Sequence, residues 1–150
     1  MEDRIEKRIE IAATTAHVWR ALTDSRQFGE WFHVKMDGPF VAGEPVSGQL
    51  THPKYEHLRM EIVVKAIQPE TYFSYTWHPY AVDPKVDYSQ ETPTLVEFRL
   101  EPTAGGTVLT VTESGFDKIP PARRAEAFRM NSGGWEQQMK NIQAYVDKTS

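Results

Sequence analysis

Hydrophobic and polar residues alternate with two different periods along this chain, and the changes of period predict its elements. Arg4 to Ile11 places isoleucines among charged residues, the last two at alternate positions, which favours a strand with one solvated face. From His33 to Gly115, turn-forming residues recur at short intervals and separate segments of strand length. After Pro120-Pro121 the hydrophobic spacing becomes helical and remains so to about Lys148.

Two short helices are predicted between the first strand and the segment rich in turns. Thr14 or Thr15 has the side chain of a helix N-cap, ahead of a helix over Ala16–Thr23. Asp24, with a glutamine three residues later, has the spacing of a capping box and predicts the start of the second helix. That second helix is expected to end at Gly29.

Five further strands are predicted between the turns of the central segment. Hydrophobic residues alternate with other residues from Leu58 to Ala66 and again from Leu95 to Leu100, as on antiparallel strands with one buried face. The predicted strands are Glu44–Thr51, Leu58–Ile67, Thr71–His78, Thr94–Glu101 and Thr107–Ser114.

The final helix carries one apolar stripe interrupted by neutral amides. Gly133-Gly134 lies in its middle, where each glycine costs about 1 kcal/mol relative to alanine. The pair indicates either a bend or close helix–sheet approach, or room left for a ligand over the helix. The stripe comprises Phe128, Asn131, Trp135, Gln138, Met139, Ile142, Tyr145 and Val146.

Composition excludes several classes of protein. The chain has 150 residues, of which 39% are hydrophobic and 11% aromatic, and this predicts a single globular domain over residues 1–150. The net charge of -4 gives no reason to expect a nucleic-acid partner, which would need a basic face. The absence of cysteine excludes disulfides, thiolate metal sites and cysteine nucleophiles.

The hydrophobic runs and the N-terminal residues suggest a cytoplasmic protein. No run approaches the roughly 18 apolar residues of a membrane span, so no membrane insertion is expected. The N-terminus opens with charged residues rather than the apolar stretch of a signal peptide. A monomer or a homodimer is expected.

The order of elements resembles the helix-grip fold of the START/Bet v 1-like (SRPBCC) superfamily, and within it the bacterial branch related to the C-terminal domain of the activator of Hsp90 ATPase. The resemblance spans essentially the whole chain. The segments that carry it are Thr14–Asp24, Glu70–Trp77, Thr112–Phe116, Gly133–Trp135 and Asn141–Tyr145.

The resemblance implies an α+β fold and leaves the function open. The expected architecture is a curved antiparallel sheet of about six to seven strands around the long C-terminal helix, with two short helices after the first strand. The space between sheet and helix is commonly a ligand cavity in this superfamily. Its members include carriers of hydrophobic ligands, aromatase/cyclases and co-chaperone domains, so the fold does not select one of these functions.

An uncharged aromatic segment is the first candidate for a binding surface. Thr71 to Val82 contains five aromatic residues and no formal charge. Strand alternation places Phe73, Tyr75 and Trp77 on one face, the better candidate for the concave side. These rings either fill a core or line a cavity for a flat or apolar ligand.

Polar residues on the predicted apolar faces are the candidates for chemistry. Glu113 shares its side of the last strand with Leu109 and Val111, but Val108 makes the other side partly apolar too, so the direction of Glu113 stays open. A carboxylate enclosed by apolar residues is a candidate acid or base, whereas one at a strand end reaches solvent or caps a backbone group.

Neutral amides and a histidine offer hydrogen bonds without charge. Asn131 and Gln138 either bond to the backbone or orient a ligand, and His33 is expected at the mouth of the cavity. His52 and His57 flank a loop whose spacing matches no zinc pattern, so a solvated loop and no metal are expected. The chain contains no phosphate-binding loop, dinucleotide fingerprint or nucleophile elbow, and no cofactor is expected.

These observations predict a module that binds a hydrophobic or aromatic small molecule, such as a lipid, a polyketide or a flavonoid-like compound. The alternatives are a cyclase or hydrolase with Glu113 as acid or base, and a chaperone-interacting protein like the Hsp90 activator relatives. The last is disfavoured because 150 residues leave no room for the N-terminal domain of those relatives. The predicted ligand-lining residues are Trp31, Phe32, His33, Met60, Ile62, Phe73, Tyr75, Trp77, Phe98, Val111, Glu113, Phe128, Asn131, Trp135 and Gln138.

Overall fold

Six of the seven strands and all three α-helices of the described residues lie in the predicted order, and the short strand Val34–Met36 was not separately predicted. The computed structural model describes residues 4–83 and 85–149. Its strands and α-helices are β1 (Arg4–Ile11), α1 (Thr15–Thr23), α2 (Ser25–Phe32), β2 (Val34–Met36), β3 (Pro45–Leu50), β4 (Arg59–Gln68), β5 (Tyr72–Trp77), β6 (Thr94–Thr103), β7 (Gly106–Ser114) and α3 (Pro121–Thr149), and a single 3-10 turn over Phe116–Lys118 precedes α3.

All seven strands form one antiparallel sheet in the order β1-β7-β6-β5-β4-β3-β2. The C-terminal helix α3 packs across its inner face with Trp135, Met139, Ile142 and Val146 buried. The predicted α+β helix-grip fold is therefore confirmed. Among the described residues, no helix is both long and apolar enough to cross a lipid bilayer.

The two short helices begin where the capping residues predict, but the second does not end at Gly29. The Thr14 hydroxyl accepts from the backbone N–H of His17, and the Asp24 carboxylate accepts from that of Gln27. Helix α2 continues to Phe32. A Cβ at Gly29 would lie 2.1 Å from the Val34 carbonyl oxygen, so this glycine permits close approach of β2 rather than ending the helix.

Alternation along the strands produces the predicted inner face. On β5, Phe73 and Tyr75 are fully buried, and Phe98 on β6 packs against both rings. On β7, Glu113 points to the inner face and toward α3, which resolves the direction that the sequence left open. This face supplies the packed interior beside which the candidate site lies.

Candidate functional site

A pocket of about 600 Å³ opens at one flank of the space between the sheet and α3. The end of α2, the β3–β4 hairpin, the end of β5 and the middle of α3 form its walls. Residues 80–83 and 86–89, which follow β5, close the remaining side. The apolar side chains that line it include Phe32, Leu50, Leu58, Met60, Trp77 and Met130.

Glycine in the middle of α3 contributes to the opening of this pocket. Gly134 lies on the pocket wall, and a Cβ built on Gly133 or Gly134 would meet no described atom within 4 Å apart from the adjoining residues and the nearby backbone of α3 itself. The glycine pair therefore does not mark a close approach of helix and sheet. At Gly134, the missing side chain leaves the surface of α3 low beside the pocket.

Behind the pocket, a buried carboxylate gathers four hydrogen bonds. One oxygen of Glu113 accepts from the indole of Trp77 at 2.8 Å and the hydroxyl of Thr94 at 2.6 Å. The other accepts from the amide of Asn131 at 2.9 Å and the indole of Trp135 at 2.8 Å. The side chain of Glu113 is 0% exposed. Four donors occupy the acceptor sites of a carboxylate.

The Glu113 network shapes the pocket from behind without being part of its wall. Of its four partners, Trp77 and Asn131 line the pocket, whereas Glu113 itself does not. The ring of Trp77 is further held between Phe32 at 6.1 Å and Trp135 at 5.8 Å, measured between ring centroids. Glu113 thus positions two side chains of the pocket wall.

Tyr75, next to this network, has a buried hydroxyl with no hydrogen-bond partner among the described residues. Burial, and then the negative charge of Glu113, raise the pKa of the Tyr75 hydroxyl well above its ordinary value. The phenol is therefore neutral at physiological pH. A buried hydroxyl without a hydrogen-bond partner is unusual in a protein interior. His78, on the pocket wall, likewise has a buried Nδ1 without a partner.

The structure divides the predicted ligand-lining residues into two groups. Those on the pocket wall are Phe32, His33, Met60, Trp77, Asn131 and Gln138. Those in the packed interior beside it are Trp31, Ile62, Phe73, Tyr75, Phe98, Val111, Glu113 and Trp135, and Phe128 is half-buried against that interior.

Sequence reasoning missed most of the outer wall of the pocket. Val82, Val86 and Tyr88 come from the connection between β5 and β6, and Leu50 and Leu58 come from the β3–β4 hairpin. The uncharged aromatic segment that ends at Val82 is the one sequence signal that points to this wall. The remaining residues reach the pocket through contacts distant along the chain, for which periodicity gives no signal.

The histidines at the mouth form a ring contact rather than a metal cluster. His33 and His52 both line the pocket, with ring centroids 6.0 Å apart. Within residues 4–83 and 85–149, no group of three or more histidine, cysteine, aspartate or glutamate side chains could hold a metal ion. His57 lies outside the pocket lining.

A wider depression of about 840 Å³ lies on the opposite face of the sheet. Its lining is mostly polar: the Tyr72 hydroxyl donates to Glu97 at 2.5 Å, Arg99 pairs with the same carboxylate, and Arg4 pairs with Glu6. The pocket beside α3 combines apolar walls with a few polar groups, which is typical of small-molecule sites. It is therefore the better candidate.

Comparison with known proteins gives a family for nearly the whole chain. The family model described as Activator of Hsp90 ATPase homolog 1-like protein matches residues 12–147. No curated protein matches the chain.

Several solved structures share the fold. The Mesorhizobium loti protein MLL2253 is 26% identical, with a TM-score of 0.77 and 98% of each chain covered. DynU16, a protein in the dynemicin biosynthetic locus, is 21% identical with a TM-score of 0.76, and the match covers 100% of this chain but only 49% of DynU16. CalU16 from Micromonospora echinospora is 19% identical, with a TM-score of 0.66 and coverage of 95% and 75%.

Proposed function

Because the chain belongs to the Activator of Hsp90 ATPase homolog 1-like protein family, in which the fold does not select one activity, we propose a function from the pocket itself. We propose that the protein binds a small hydrophobic or aromatic molecule in the pocket between the sheet and α3. The observation that carries this proposal is the open pocket of about 600 Å³ with its apolar walls. A volume of this size suits a drug-sized ligand.

The charges around the pocket favour an apolar body over a phosphate or a sugar phosphate. Arg59 is the only lysine or arginine among the described residues of the lining, and its guanidinium is paired with Asp37. Glu61, Asp83 and Asp87 also lie on the wall, and their charge opposes an anion. The Nδ1 of His78, buried without a partner, offers one hydrogen bond that could orient the ligand.

The contacts of Glu113 favour a carrier over an enzyme that uses this carboxylate. A general acid or base must be within hydrogen-bond reach of its substrate. Glu113 is off the pocket wall, and its acceptor sites are occupied by protein donors. Docking to a chaperone would be favoured by large exposed apolar side chains. Among the described residues, these are limited to Val41, Val63 and Val86.

The proposal is tested with N-phenyl-1-naphthylamine, a neutral flat fluorophore whose emission rises in apolar sites. We expect saturable binding, displacement by a flavonol or a fatty acid, and no displacement by adenosine triphosphate. Gly134→Leu fills the pocket from α3 and should weaken binding at least tenfold, whereas Gly133→Leu, off the pocket wall, should change it little. Equal effects of the two variants, or tight binding of the nucleotide, would refute the proposed site.

A further inference from the structure

The connection between β5 and β6 forms the outer wall of the pocket. It runs from His78 to Pro93 without helix or strand in its described residues. Tyr80, Val82, Val86 and Tyr88 lie on the pocket side, facing the middle of α3. A ligand that enters between this connection and α3 must pass these residues.

One side chain of α3 ties this connection to the helix. Arg123, in the first turn of α3, donates from Nε to both carboxylate oxygens of Glu91 at 3.0 Å and from Nη2 to one of them at 2.5 Å. Its Nη1 donates to the backbone oxygen of Pro79 at 2.8 Å. The guanidinium also lies 4.7 Å from the centroid of the Tyr88 ring. Arg123 therefore contacts the start, the middle and the end of the connection.

The Arg123–Glu91 pair is shielded enough for these contacts to hold. The two side chains are 19% and 16% exposed, much less than the other ion-paired arginines, and the geometry is bidentate. Bidentate guanidinium–carboxylate pairs are stronger than neutral hydrogen bonds and fix relative orientation. A partly desolvated pair is also screened less by salt than a surface pair.

Through its described residues, the connection makes few other polar contacts with the rest of the protein. Its other described hydrogen bonds are internal, such as those from the backbone of Lys85 to Asp83 and from the backbone of Ser89 to Asp87. Tyr80 adopts a φ of 51°, a left-handed conformation that is strained for a bulky residue. Arg123 Nη1 also reaches the Tyr80 carbonyl oxygen at 3.4 Å, so the strained residue lies at the anchored end.

We infer that Arg123 and Glu91 form a latch that holds the connection closed over the pocket, and that ligand exchange requires its release. The inference rests on the proposed function for its ligand, but the latch itself is a property of the chain. Arg123 acts through the connection and is a positioning residue. Breaking the latch should raise the opening rate and leave the apolar walls in place.

The latch is tested by trypsin, which needs an opened segment to cleave. Lys85 is exposed within the connection, and Lys54 in the β3–β4 loop is an internal reference site. We expect Arg123→Gln to raise cleavage after Lys85 at least tenfold relative to cleavage after Lys54, as measured by mass spectrometry. Arg124→Gln is the matched control, because Arg124 caps local carbonyl oxygens of Asp117 and Ile119 and does not touch the connection.

A second measurement follows exchange of N-phenyl-1-naphthylamine by stopped flow. Arg123→Gln should raise both the association and the dissociation rate constants severalfold, with a smaller change in Kd. Glu91→Gln keeps the arginine and should reproduce both effects, and it replaces Arg123→Gln if that variant does not fold. Unchanged relative cleavage after Lys85 in the folded variants, or an equal rise in Arg124→Gln, would overturn the latch. Absence of fluorophore binding would contradict the proposed function, while the cleavage result would still decide the latch.

Discussion

Glu113 is the residue on which the polar contacts of the interior converge. Its carboxylate joins β7 to β5 through Trp77, to β6 through Thr94, and to α3 through Asn131 and Trp135. A buried charge is tolerated only where hydrogen bonds replace its hydration. Here donors from three elements do so, and the orientations of two pocket side chains follow from them.

Replacing this carboxylate by an amide should destabilise the fold. In Glu113→Gln, the new NH₂ group faces donors that need an acceptor, so about two of the four hydrogen bonds are lost. We expect the free energy of unfolding to fall by about 2 to 4 kcal/mol, as measured by urea denaturation. Glu101→Gln, at an exposed position, should change it by less than about 0.5 kcal/mol. Wild-type stability of Glu113→Gln would contradict the network.

For Tyr75 we expect the opposite effect on stability. Its hydroxyl has no partner among the described residues, so Tyr75→Phe should raise the free energy of unfolding at neutral pH by about 1 kcal/mol or more. Tyr72→Phe removes a hydroxyl that donates to Glu97 and should lower it by about 1 kcal/mol. Paired chemical denaturation curves measure both changes, and a loss of stability in Tyr75→Phe would indicate an unrecognised partner for the hydroxyl.

The raised pKa of Tyr75 also predicts a pH dependence. The phenol stays protonated in the folded protein, whereas in the unfolded chain it ionises near its ordinary pKa of about 10. Unfolding then releases a proton, so stability falls as the pH rises above about 10. The stability difference between Tyr75→Phe and the wild type should therefore widen from pH 9 to pH 11. A difference that stays constant over this range would show that Tyr75 ionises alike in both states.

At the scale of elements, two glycines lower the stability of α3 although its packing does not require them. Gly133 and Gly134 interrupt a helix of 29 residues, and neither position has a neighbour that excludes a methyl group. Gly133→Ala and Gly134→Ala should each raise the free energy of unfolding by about 1 kcal/mol. Thermal and urea denaturation measure the gain, and Gly29→Ala, which would place its Cβ 2.1 Å from a carbonyl oxygen, should instead destabilise. Destabilisation by the two α3 variants would imply a contact absent from this structure.

The elements were predictable where their pattern was local. The predicted bounds of the alternating strands and the predicted starts of the capped helices lie within one or two residues of the observed ones. The three-residue strand β2 was not separately predicted, because such a short segment has no measurable period. The end of α2 was misplaced because Gly29 resembles a helix terminator, whereas its role depends on Val34 packing against it.

The candidate site was predictable only in part. The apolar stripe of α3 and the aromatic face of β5 gave Trp77, Asn131 and Gln138 on the pocket wall. The way α3 crosses the sheet decides which aromatic residues fill the core and which remain accessible. Local spacing along the sequence does not encode that crossing. The role of Arg123 was also missed, since its partner Glu91 lies 32 residues away and belongs to an irregular segment.

At the scale of the whole molecule, core and pocket share one boundary. The centre between sheet and helix is filled by stacked and edge-on rings, including Phe73, Phe98 and Trp135. The pocket begins where this packing stops, at Trp77, and continues to the connection held by Arg123. A close-packed interior has low compressibility and few voids to absorb a local change, so ligand exchange is expected to move the connection rather than the core.

This arrangement makes the fold depend on α3. Trp135, Met139, Ile142 and Val146 are buried against the sheet, and each such side chain contributes about 1.5 to 3 kcal/mol on burial. Their combined contribution is comparable to the whole net stability of an ordinary domain, about 5 to 15 kcal/mol. Removing α3 would also expose Glu113 without two of its four donors.

A chain that ends at Pro120 should therefore be unfolded or aggregated, with no cooperative thermal transition by circular dichroism. The matched control ends at Asp147, one residue beyond Val146, the last buried side chain of α3. That shorter truncation removes the hydrogen bond between His17 and Thr149, which lies at an exposed position and should matter little. It should fold cooperatively and bind N-phenyl-1-naphthylamine like the full chain. A sharp melting transition in the chain ending at Pro120 would show that the sheet is stable alone and that α3 serves only as a wall of the pocket.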